Sequence, residues 1–193
     1  ETGGYVETSG AITHLKESER LKAEGGDHFR SGNVEAALQC YDAALETLDA
    51  SPIQNQSLRS MLASNQALCF LKLTRPSEAE ERASAALAAD PANGKAAYRR
   101  GLARLKLEDP HGAFEDLQKA VRLEPNNAEV RQKCEEAKKL AETVPIEESQ
   151  KAVAVSAAAV VGDLYNDKQD LNEGRLMENY KDQKEWVKTI SDW

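Results

Sequence analysis

KAAYRRGLARLKLEDPHGAFEDLQKAVRLEP, from Lys95 to Pro125, reads as two helices joined by a turn. Apolar residues recur at helical spacing over Ala97 to Leu107 and again over Ala113 to Leu123. Between them, Asp109-Pro110-His111-Gly112 stops one helix and starts another, because proline lacks the N–H that a helix interior requires. Gly101, Ala113 and Ala120 fall where the two helices would cross, and small side chains there let the backbones approach. One such hairpin cannot bury its apolar face alone, so neighbours of the same kind are expected.

They are present upstream. A first pair runs from about Ala11 to Phe29 and from Val34 to Leu48, with Ser31-Gly32-Asn33 between them. Leu15, Leu21 and Phe29 lie near one face of the first helix, and Ala37, Leu38, Tyr41, Ala44, Leu45 and Leu48 form the stripe of the second. After the polar loop Asp49 to Gln56, a second pair starts with Leu58 to Leu73. It resumes at Pro76, well placed for a first helical position, and carries Ala79, Ala83 and Ala86 on its small face. The interval from Ala37 to Ala79 is 42 residues and that from Ala79 to Ala113 is 34. Past Pro125, Asn127 is expected to cap a helix over about Ala128 to Ala141, with Val130, Cys134, Ala137 and Leu140 facing the last pair.

The ends differ in character. Residues 1–10, ETGGYVETSG, read as a flexible lead-in, and the repeat region is placed at 11–142. Residues 143–170 read as a linker with a short helix, and 171–193 as an amphipathic helix with Leu176, Tyr180, Val187 and Ile190 on its stripe. That last helix could fold back on the array, pair with a second copy as a homodimer, or lead into a further domain.

Composition agrees. Ala, Leu, Glu, Lys and Arg dominate 193 residues and aromatics make up 5%, which favours an all-α chain. The net charge of −8 argues against general affinity for nucleic acid or for an anionic membrane. No run approaches the length of a membrane span. Cys40, Cys69 and Cys134 are isolated and odd in number, which suggests reduced, packed thiols in a cytoplasmic or nuclear protein. The chain starts at Glu1 rather than Met, so a removed targeting segment stays open. His14, His28 and His111 have no partners at metal-ligand spacing, and no nucleophile motif or phosphate-cradling loop is visible. No metal, cofactor or enzyme active site is therefore expected.

The segments LKAEGGDHFRSGNVEAALQCYDAAL, NQALCFLKL with AEERASAALAADP, and KAAYRRGLARLKL with GAFEDLQKAVRLEP resemble three tetratricopeptide repeats. The 34-residue interval is that family's period, and the 42-residue one is the period with eight residues inserted. The resemblance implies three helical hairpins in a right-handed superhelix, a capping helix and a C-terminal helical extension. It is nearest to repeat domains of the carboxylate-clamp co-chaperone type, whose concave groove holds the acidic, EEVD-type tail of the ninety- or seventy-kilodalton heat-shock chaperone. The similarity implies that Lys22, Asn65, Lys95 and Arg99 are clamp residues, with Lys22 and Asn65 on the terminal carboxylate and Lys95 and Arg99 on the Asp side chain. Gly26 stands where the family has Asn. Phe29 and Arg30, with Lys72 and Lys106 at the repeat position of Arg30, are expected to line the groove further along, packing between helices being an equal alternative for Phe29. Rival readings are the targeting domain of a larger enzyme, such as a peptidyl-prolyl isomerase or a protein phosphatase, and a scaffold with a different ligand.

Overall fold

The computed structural model describes residues 3–145, and every regular element among them is helical. The elements are α1 (Gly3–Arg30), α2 (Val34–Asp49), α3 (Gln56–Lys72), α4 (Pro76–Ala89), α5 (Gly94–Lys106), α6 (Pro110–Leu123) and α7 (Ala128–Thr143). They pack as the hairpins α1–α2, α3–α4 and α5–α6, with α7 laid on α6.

Local chemistry sets the boundaries. Asn55, Asn93, Asp109 and Asn127 each accept a hydrogen bond at the start of a helix, from the N–H groups of Leu58, Ala96, Gly112 and Val130. Pro76 and Pro110 sit in first turns, where a missing N–H costs nothing. The turn inside each hairpin needs one residue in the left-handed region. Those residues are Gly32 (φ 86°), Thr74 (φ 57°) and Glu108 (φ 61°), spaced by the same 42 and 34 residues as the alanines. Only the first is a glycine, and a β-branched threonine is strained there. Thr74→Gly is expected to stabilise the fold by about 0.5–1 kcal/mol, read as a raised urea midpoint at unchanged slope.

The hairpins share one packing solution. Gly25, Ala67 and Gly101 occupy equivalent positions on the first helices, and Tyr41, Ala83 and Leu117 occupy those opposite. A Cβ on Gly25 would lie 2.7 Å from the Tyr41 ring, and one on Gly101 would lie 2.7 Å from Leu117 Cγ. A large side chain therefore faces each glycine, whereas both equivalent positions of the middle hairpin are alanines, Ala67 and Ala83. Ala37, Ala79 and Ala113 are fully buried, as are Ala44, Ala86 and Ala120. Ser18 and Ser60, also equivalent, each donate a buried hydrogen bond to the carbonyl of Ala44 or Ala86 across the hairpin, at 2.8 Å.

Two expectations need correction. Residues 3–10 belong to α1 and are not a flexible lead-in. No proline interrupts them, and once Ala11 onward is packed, each further turn adds hydrogen bonds without a new nucleation cost. Leu140 is 49% exposed, because the buried stripe of Val130, Cys134 and Ala137 continues to Ala141 at four-residue spacing. The expected linker beyond Pro145 and the helix at 171–193 lie outside the described residues.

Candidate functional site

The first helices of the hairpins line one groove of about 410 Å³. It is bounded by Lys22, Ala23, Gly26, Asp27 and Arg30 on α1, Tyr41 on α2, Met61, Ser64 and Asn65 on α3, the cap residue Asn93, and Lys95 and Arg99 on α5. All four residues matched to the clamp are therefore brought together with Gly26 and Arg30. Phe29 is not in this lining. It packs against the core cluster of Tyr41, Leu48 and Leu62, so its role is to join helices. Lys72 and Lys106 also fall outside the lining. Each is the exposed last residue of its helix, where a cation suits the carbonyl end of the dipole.

Arg99 gives the groove its chemistry. Its Nη1 donates to Ser64 Oγ at 2.6 Å and to Asn65 Oδ1 at 3.3 Å, and burial pushes its pKa down. Both partners are neutral. Among the described residues no carboxylate forms a salt bridge with Arg99, Lys22 or Lys95. Arg100, the next residue, shows the contrast. Its Nε and Nη2 reach the two carboxylate oxygens of Asp116 at 2.8 and 2.6 Å, and Arg104 bonds Glu80 at 2.8 Å and Asp116 at 3.0 Å. On the packed side of α5 each half-buried guanidinium has a carboxylate in salt-bridge contact, and Arg99 on the groove side has none among the described residues.

The contact to Asn65 also sets the ligand-facing group. With Oδ1 engaged by Arg99, the amide NH2 of Asn65 is the end left to donate to an incoming oxygen. The arrangement thus offers ammonium, guanidinium and amide donors in a groove on an otherwise acidic body. That donor set suits a carboxylate ligand.

Ser64, Asn93, Tyr41, Met61 and Asp27 line the groove without having been read as groove residues in the sequence. A signal for two of them existed. Met61 lies 34 residues before Lys95 and four before Asn65, and Ser64 precedes Asn65 directly. Met61 is 42% exposed and provides an apolar surface beside the charged groups.

The thiols behave as packed hydrophobes. Cys69 and Cys134 are buried, all three cysteines are free, and burial pushes the Cys69 thiol up to about 11. His28 needs correction, because folding brings its ring to Glu24 and Cys40 with ligand atoms within 4.8 Å of one another. Two features oppose metal capture there: Glu24 pairs with Arg20 at 2.8 Å, and burial raises the Cys40 thiol.

Comparison with known proteins fits this architecture. Residues 65–128 match the family model described as Tetratricopeptide repeat. The first TPR of Spaghetti (RPAP3) bound to the HSP90 peptide SRMEEVD superposes with a TM-score of 0.57 at 28% identity, covering 64% of this chain and 94% of that one. The described chain is a tetratricopeptide-repeat domain. A DnaJ homolog subfamily C member 7 homolog of Dictyostelium discoideum is 37% identical over 134 residues, which are 69% of this chain and 24% of the relative. A human FK506-binding protein-like protein is 37% identical over 106 residues, 55% of this chain and 30% of the relative. The tetratricopeptide-repeat domain thus spans less than a third of either relative's own length. Among the described residues no helix is long and apolar enough to cross a membrane.

Proposed function

We propose that this tetratricopeptide-repeat domain is a co-chaperone or adaptor module that captures the acidic C-terminal tail of the ninety- or seventy-kilodalton heat-shock chaperone. Lys22 and Asn65 take the terminal carboxylate, and Lys95 and Arg99 take the side chain of the final Asp. The observation that carries the reading is Arg99, a half-buried cation whose hydrogen-bond partners are neutral, in an open groove. A desolvated charge without a counter-ion is costly, and an arriving carboxylate relieves that cost through charge-assisted hydrogen bonds of about 1.5–3 kcal/mol each. The structural neighbour holding an HSP90 peptide supports the same reading. So does Met61, which offers an apolar contact to a side chain upstream of the terminal Asp.

This function needs no cofactor and assigns the domain no catalysis of its own. Free thiols suit a cytoplasmic setting. The FK506-binding relative favours a second reading, in which the same groove targets a larger, isomerase-like protein to the chaperone.

A fluorescence anisotropy titration of the free-acid peptide SRMEEVD against its C-terminal amide tests the proposal. The free acid is expected to bind at least tenfold tighter, a difference of about 1.4 kcal/mol, and the gap should narrow as salt is added. Equal affinities would remove the terminal carboxylate from the recognition.

A further inference from the structure

Gly26 leaves a gap in the groove wall, and the nearest side-chain atom to that gap is a guanidinium nitrogen. A Cβ built on Gly26 would lie 3.5 Å from Arg30 Nη1 and 4.0 Å from the Tyr41 hydroxyl, so the space is open and one edge of it is cationic. Arg30 sits one helical turn after Gly26 on α1 and lines the same groove. Its Nη2 is held by the carboxylate of Asp27, one residue on from Gly26. That pairing occupies one branch of the guanidinium fork and leaves Nη1, the branch beside Gly26, as a donor toward the groove.

We propose that Arg30 supplies the donor missing at Gly26, its Nη1 hydrogen-bonding the terminal carboxylate while Asp27 anchors its Nη2. This rests on the chaperone-tail reading and specifies how the first repeat completes its site. Arg30 is a specificity-determining residue in this account. A charged fork replaces a neutral amide, so the site depends more on a free, ionised carboxylate and loses affinity more steeply with salt. The absence of a side chain at position 26 is what makes room for it.

The test is a double-mutant cycle on the full 193-residue chain, with Arg30→Ala, Gly26→Asn, both together, and Arg30→Lys. Each is titrated calorimetrically with free-acid SRMEEVD, and folding is checked by thermal melting. Because Arg30 is largely exposed, Arg30→Ala is expected to weaken binding about three- to fivefold. Arg30→Lys should lose nearly as much, since it keeps the charge but not the anchored fork. In the Gly26→Asn background, where an amide fills the gap, Arg30→Ala should cost less than about twofold. Parent-like binding by Arg30→Ala, full retention by Arg30→Lys, or an equal loss in both backgrounds would overturn the proposal. If Arg99→Ala abolishes binding while Arg30→Ala does not, only the role of Arg30 falls. If no variant differs from the parent, or the parent itself does not bind, the groove reading falls with it.

Discussion

Arg99→Ala is expected to weaken binding of free-acid SRMEEVD at least tenfold while leaving the melting temperature unchanged or slightly raised. The two effects separate because Arg99 contributes little to the fold. Its hydrogen bonds go to the neutral side chains of Ser64 and Asn65, and its partial burial without a salt-bridge partner opposes the charged state. Removing it relieves a desolvation cost in the free domain and removes a charged donor in the complex. The loss of one such donor is worth more than about 1.4 kcal/mol, hence the tenfold. Calorimetry and thermal melting on the same preparation check both halves. Parent-like affinity, or a melting temperature lowered by about 5 °C or more, would show that Arg99 holds the structure and not a ligand.

Asp116→Ala is expected to act in the opposite way, costing about 3 kcal/mol of stability with little change in peptide affinity of the folded protein. The Asp116 side chain is 5% exposed and bridges Arg100 and Arg104, two cations about a fifth exposed. Arg104 is also tied to Glu80 on α4, so this cluster joins α4, α5 and α6. Without Asp116, Arg100 keeps only a 3.4 Å contact to Ser84, and two neighbouring guanidinium groups repel across a poorly solvated gap. Urea unfolding measures the loss. A change below about 1 kcal/mol would show that the cluster is solvated in practice and that the apolar interfaces alone hold the hairpins together.

Arg99 and Arg100 also mark the limit of what the sequence discloses. Both are arginines on one helix, and the repeat register could place Arg99 on the groove side. Whether either has a carboxylate partner depends on what α3, α4 and α6 set opposite, and no local pattern encodes that. The hairpins were legible because the alanine ladder recurs at fixed intervals and because Pro76, Pro110 and Asn127 punctuate it. Thr74 and Glu108 were not legible as left-handed residues, since the residue types that favour that conformation are absent and only register with Gly32 betrays them. Phe29 stayed open between core and groove for a related reason. It sits next to Arg30, and a helix turns about 100° between neighbours, so one enters the core cluster and the other the groove. Residues 3–10 looked unstructured from their Gly, Ser and Thr content, whereas the helix they extend is anchored further along.

The central claim is that the groove between α1, α3 and α5 receives an acidic C-terminal tail. Backbone amide shifts of isotope-labelled protein, followed as free-acid SRMEEVD is added, test it most directly. The account predicts saturable shifts concentrated at Lys22, Gly26, Ser64, Asn65, Lys95 and Arg99, and their disappearance when the peptide is amidated. Absence of shifts at a peptide excess, or shifts confined to α4, α6 and α7, would contradict it.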